Sequence, residues 1–129
     1  MNLEGIDHVA LAVRDVEAAA QWYIDVLGFE PRYAEAWNGI PTFIGKGTTA
    51  IALFPSGENP AGMQKTGASS GMLHLAFRAD AAGFAAAQQE LRQRGIKFDF
   101  QDHEISHSIY FCDPDGHKLE ITTYDLGDR

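Results

Sequence analysis

The chain has 129 residues, with 10 Lys and Arg against 18 Asp and Glu, a formal net charge of −8, five His and one Cys. So acidic a chain is repelled by nucleic acid and by an anionic membrane surface, and one cysteine cannot close an internal disulfide. No apolar run approaches the ~18 residues that span a bilayer, and the opening Met-Asn-Leu-Glu-Gly-Ile-Asp lacks the regions of a signal peptide, so a small cytoplasmic domain is expected.

A first strand is expected in the alternating run from Ile6 to Leu11. Side chains two apart share a face, so Val9, Leu11 and Val13 point one way and His8, Ala10 and Ala12 the other. Asp15 can cap a helix whose apolar positions Val16, Ala19, Ala20, Tyr23 and Leu27 keep helical spacing, and Gly28 stops it. Trp22 and Val26 fall outside that stripe and are candidates for an interface. Three short strands are expected at 29–36, 41–45 and 49–54, with Trp37 and Phe43 either lining a pocket or packing in a core.

Residues 57–70, with Gly57, Pro60, Gly62 and Gly67, read as a linker between residues 1–56 and 71–129. Beyond it the pattern repeats. Met72-Leu73-His74-Leu75-Ala76-Phe77 matches Ile6-Asp7-His8-Val9-Ala10-Leu11, with its histidine 66 residues further on. Leu73, Leu75 and Phe77 form the expected core face, and His74 and Ala76 the other. Asp80 caps a second helix with Phe84, Ala87 and Leu91 on one face, Arg92 and Arg94 near its end and Gly95 as its stop. Strands are expected at 96–101, 106–112 and 118–124, the last two joined by the turn Asp113-Pro114-Asp115-Gly116. Each half reads strand–helix–strand–strand–strand, an α+β unit with a helix on one face of its sheet.

In the last strand Leu119 and Ile121 point inward, and Glu120 and Thr122 opposite. His8, His74 and Glu120 therefore all lie on sheet faces away from the helices, among the small residues Ala10, Ala12 and Ala76. A lone strand histidine is more often a surface or hydrogen-bonded core residue, and a lone Glu is usually solvated. Histidines at equivalent points of a repeat favour the other reading. Two imidazoles and a carboxylate suit Fe2+, Mn2+, Zn2+, Ni2+ or Co2+, and three ligands leave positions open for a substrate.

The run from Ser108 to Ile121, Ser-Ile-Tyr-Phe-Cys-Asp-Pro-Asp-Gly-His-Lys-Leu-Glu-Ile, resembles the C-terminal signature of the vicinal oxygen chelate superfamily. Ile6-Asp7-His8-Val9-Ala10-Leu11-Ala12-Val13, with Trp22-Tyr23 and Leu27-Gly28-Phe29, resembles its N-terminal signature. That superfamily contains glyoxalase I, extradiol dioxygenases, fosfomycin-resistance thiol transferases and bleomycin-binding proteins. The resemblance implies one glyoxalase-like domain over residues 1–129, built of two βαβββ modules that curl into half-barrels. It implies a divalent metal held by His8, His74 and Glu120, with Tyr110 and Ser108 hydrogen-bonding a small-molecule substrate.

The repeat sets Ala52 over Glu120, where glyoxalase I-like isomerases place a fourth ligand. Alanine offers none, so the resemblance implies a dioxygenase-like or thiol-transferase-like enzyme acting on a small oxygen-rich molecule that chelates the metal. A metal-free sequestering module of the bleomycin-binding type is the alternative. Ala10 replaces a threonine of the thiol transferases, and the acidic chain suits a strongly anionic substrate poorly. Arg129 is a candidate for an anionic group, and His103 and His107 for proton carriers, although the parity of His107 with Ile109 and Phe111 suggests a structural role. His117 reads as a turn-flanking residue and Cys112 as a packing residue. Sheets with open edges call for a homodimer.

Overall fold

The computed structural model describes residues 1–57 and 71–127. Most of the 57–70 stretch expected to be a linker, and Arg129, lie outside the described residues. The chain divides into two compact units, Met1–Lys65 and Thr66–Arg129.

The first unit runs β1 (Val9–Val13), α1 (Val16–Leu27), β2 (Glu30–Arg32), a 3-10 turn (Trp37–Gly39), β3 (Thr42–Lys46) and β4 (Thr49–Pro55). Its four strands lie in the order β1-β4-β3-β2, with β1 parallel to β4 and the other neighbours antiparallel. Asp15 starts α1 by accepting the Ala18 N–H at 3.0 Å, and Gly28, at φ 74°, ends it in the left-handed region that a Cβ disfavours. The stripe Ala19, Ala20 and Tyr23 is buried against β3 and β4, over a core of Val13, Ile44, Ile51 and Leu53. Trp22 and Val26 are half-buried, and the Trp22 ring meets Tyr23 edge-on.

The second unit repeats the plan: β5 (Leu75–Arg78), α2 (Ala81–Gln93), β6 (Asp99–Asp102), β7 (His107–Cys112) and β8 (Lys118–Thr123), in sheet order β5-β8-β7-β6. Asp80 caps α2 through the Gly83 N–H at 2.7 Å. The helix buries Phe84 and Leu91, and Ile109, Leu119 and Ile121 fill the core. The β7–β8 turn is held by Asp113, whose buried carboxylate accepts from the N–H groups of Asp115 and His117, both at 2.9 Å, and pairs with His117 Nδ1 at 2.7 Å. The architecture is the expected α+β pair of βαβββ modules.

Several boundaries differ from expectation, each for a local reason. The first strands of both units begin later, at Val9 and Leu75. β8 starts at Lys118, directly after its turn, so the ladder has nothing to offer residues before His74. Leu73 is therefore not a core residue but 85% exposed, and Ile6 is 82% exposed. Leu75 and Phe77 are only half-buried. β2 covers three residues rather than eight, because Tyr33 turns to φ 53° and leaves the extended region. Trp37 sits in the 3-10 turn rather than in a strand. Cys112 is exposed opposite Lys118, so it is not a packing residue.

Candidate metal centre

In the second unit, Glu120 lies at the middle of β8, flanked by Ala76 on β5 and Tyr110 on β7. Although it faces away from the helix side, it is only 7% exposed. A buried carboxylate is costly unless its oxygens are satisfied. Here Oε1 lies 2.9 Å from His74 Nε2, and Oε2 accepts the Ser108 hydroxyl at 2.6 Å. Ser108 Oγ is also 3.0 Å from Thr122 Oγ1, and the Thr122 hydroxyl reaches the His107 carbonyl.

Ser108 is fully buried, with its one hydroxyl proton committed to Glu120. That corrects its expected role: it holds the carboxylate instead of meeting a substrate. Tyr110 is half-buried and keeps access. Burial, the charge of Glu120 and a hydrogen bond to that carboxylate push the phenol above its ordinary value, and Ser108 opposes the shift. The hydroxyl therefore stays protonated and able to donate. His74 meets the Tyr110 ring edge-on at 5.7 Å between centroids, and Lys118 Nζ lies 5.6 Å from the ring centroid.

His103 Nε2 lies 3.1 Å from Tyr110 Oη, so of the two candidate proton carriers His103 touches the site. His107 instead packs edge-on against Phe100 and lies 3.5 Å from Asp102 Oδ2. The His103 contact crosses from the turn before β7 onto that strand, a path that a period-two pattern does not contain.

In the first unit, His8 immediately precedes β1 as His74 precedes β5. Asp7 Oδ2 takes its Nδ1 at 2.8 Å. A carboxylate only accepts, so Nδ1–H donates to it, the kind of contact by which carboxylates orient metal-binding imidazoles. His8 also meets the Phe43 ring edge-on at 5.1 Å.

The donor types, two imidazole nitrogens and a carboxylate oxygen, suit a divalent ion. In this structure His74 Nε2 and Glu120 Oε1 stand 2.9 Å apart as an N–H···O pair, so an ion held by both would replace the proton between them. Among the described residues no group of three or more His, Cys, Asp or Glu side chains is gathered to hold a metal ion, so of the expected ligands the structure brings together His74 and Glu120.

Residues 5–121 match the family model for the Glyoxalase/Bleomycin resistance protein/Dioxygenase superfamily. The chain is 30% identical to a metallothiol transferase FosB of Staphylococcus epidermidis, over 100% of its own length and 88% of the relative's. It is 33% identical to biphenyl-2,3-diol 1,2-dioxygenase 3 of Rhodococcus globerulus, over 88% of its own length but only 60% of that protein's. The structure of lactoylglutathione lyase from Agrobacterium tumefaciens shares the fold, with a TM-score of 0.75 at 24% identity and complete coverage of both chains. With a family model over most of its length and transferases and dioxygenases among its relatives, the chain belongs to the Glyoxalase/Bleomycin resistance protein/Dioxygenase superfamily and is an enzyme of it.

Proposed function

We propose that the chain is a divalent-metal-dependent enzyme whose small, oxygen-rich substrate chelates the metal, in a dioxygenase-like or thiol-transferase-like reaction. The observation that carries this reading is the His74–Glu120 pair at 2.9 Å, with Ser108 and Tyr110 around the carboxylate. His74, Glu120 and His8 are the proposed ligands, with His8 supplied by the first unit of the same chain or of a second copy. Fe2+, Mn2+, Zn2+ and Ni2+ all suit two imidazoles and a carboxylate. Bound there, such an ion supplies Lewis acidity and a template for developing oxygen charge.

The residues divide the remaining work. Ser108 fixes Glu120, and Asp7 fixes the His8 ring. Tyr110 donates its hydroxyl proton to a substrate oxygen, and His103 orients that hydroxyl. The equivalent place in the first unit holds Ala52, flanked by Ala10 and Phe43 as Glu120 is flanked by Ala76 and Tyr110. Alanine has no ligand atom, which favours these two reaction classes over a glyoxalase I reaction needing a fourth protein ligand.

The reading includes a homodimer in a reducing cytoplasm. β1 and β5 are terminal strands of their sheets, and Leu3, Ile6, Met72 and Leu73 are exposed beside them. No helix among the described residues is long and apolar enough to cross a membrane.

The test is oxygen uptake by the anaerobically Fe2+-loaded protein on a panel of catechols, beside thiol consumption by the Mn2+-loaded protein with fosfomycin. Turnover in either assay is expected. Formation of lactoylglutathione with neither of the other reactions would overturn the reading.

A further inference from the structure

Arg32 belongs neither to the core nor to the ligand set, yet it lies on the face of the first sheet that His8 shares. It closes β2 and pairs with Phe43, which puts it on the same side as Phe43, Ala52 and Ala10. Its guanidinium runs along that side and covers Gly45. A Cβ on Gly45 would stand 2.5 Å from Arg32 Cζ and 2.6 Å from Nε and Nη1, so the missing side chain makes the room. Nη2 donates to the Gly47 carbonyl at 2.6 Å.

That bond uses one of about five N–H donors. Arg32 is half-buried, and among the described residues no carboxylate forms an ion pair with it, Glu30 on the same strand and side included. A partly desolvated guanidinium with donors to spare selects a planar anion, because its fork matches two carboxylate oxygens at once. An arginine that merely tied β2 to the β3–β4 turn would need Nη2 alone.

The register sets its distance from His8. One residue before β1, His8 stands level with Ala50, and Ala50 pairs with Gly45 beneath the guanidinium. Neighbouring strands lie about 4.8 Å apart, so roughly 10 Å separates the backbones of His8 and Gly45. The row between them holds one methyl group, that of Ala50.

We infer that Arg32 is a specificity-determining residue that binds a carboxylate on the substrate, separate from the oxygens that chelate the metal and a few bonds away from them. The net charge of −8 does not oppose this. Distant charges are screened beyond about 8–10 Å in physiological salt, whereas direct contact with a guanidinium is not. The place of the chelating oxygens rests on the proposed role of His8 as a ligand; the carboxylate site does not.

The test therefore uses the metal-free full-length protein, titrated by NMR at low salt with glutarate and with its neutral diamide. The readout is the Arg32 Nε–H signal, identified by its absence in Arg32→Gln. Glutarate is expected to move it and to bind about tenfold more tightly than the diamide. Arg32→Gln should weaken glutarate about tenfold. Gly45→Ala keeps the charge but displaces the guanidinium, and should weaken glutarate about three- to fivefold.

His8→Ala should leave the Arg32 response intact, so a protein that bound no metal would still keep the carboxylate site. Equal affinity for glutarate and the diamide would overturn the assignment, and so would unchanged glutarate affinity in a folded Arg32→Gln. Were that variant to unfold, Gly45→Ala decides: weakened glutarate supports the site, and unchanged affinity overturns it.

Discussion

Glu120 and Ala52 occupy the same place in two copies of one fold: each sits between an alanine of the first strand and an aromatic residue of the hairpin partner. The copies have diverged at paired positions, Tyr110 and Glu120 in one sheet against Phe43 and Ala52 in the other. One sheet therefore holds a phenol beside a carboxylate, and the other keeps a histidine over an apolar floor.

That divergence predicts the effect of Ala52→Glu. Ala52 is fully buried beside buried Phe43, with no counterpart of the Ser108 hydroxyl opposite it. The new carboxylate should destabilise the protein by about 2–4 kcal/mol without adding metal stoichiometry. Urea unfolding and metal analysis check this together. A fully stable variant that gained metal would show that the first sheet is preorganised for a fourth ligand.

Ser108→Ala should be felt through Glu120. Losing the 2.6 Å bond leaves a buried carboxylate oxygen short of a donor, at a cost of about 1–3 kcal/mol. Metal affinity should fall about 10–100-fold, as for other residues that orient ligands. Competition with a metal chelator measures it; an unchanged affinity would return Ser108 to a purely structural role.

Tyr110 sets a pH dependence in the metal-free protein. Its ordinary value is 10.0, and burial with the nearby Glu120 charge raises it in the fold. A raised value favours the protonated form in the native state. The stabilising contribution is therefore whole below pH 10 and is lost as pH rises through the folded value. Thermal melts should show wild type losing stability relative to Tyr110→Phe above about pH 10, with a constant difference near pH 8–9. A relative gain by wild type at high pH would contradict the environment described for this phenol.

The repeat made much of this visible in advance, because alternation and cap chemistry are local. Asp15, Gly28 and Asp80 work as their types suggest, and His74 meets Glu120 across paired strands whose phases can be read separately. Other features depend on where a chain segment stops pairing. Leu73 fits an inward pattern but lies beyond the end of the ladder, so parity loses its meaning there. Ser108 carries the expected chemistry and spends it on Glu120, which only burial reveals. The early end of β2 was hidden because residues 29–36 look like a strand, whereas the left-handed Tyr33 ends it after Arg32.

Exposure of Ile6 and Leu73 beside two terminal strands predicts self-association. Sedimentation should give twice the 14.1 kDa chain mass. Because both side chains are exposed, the double variant Ile6→Lys, Leu73→Lys should fold normally and sediment as a monomer. A wild-type monomer would remove the homodimer from the account.

The most direct test of the central claim is metal stoichiometry under anaerobic reconstitution with Fe2+, Mn2+, Zn2+ and Ni2+. With His8, His74 and Glu120 as the ligands, wild type should hold one equivalent per chain of at least one of these ions. Glu120→Gln, His74→Ala and His8→Ala should each lose it while remaining folded. Wild type that binds none of the four, or a Glu120→Gln variant that keeps its full equivalent, would contradict the account.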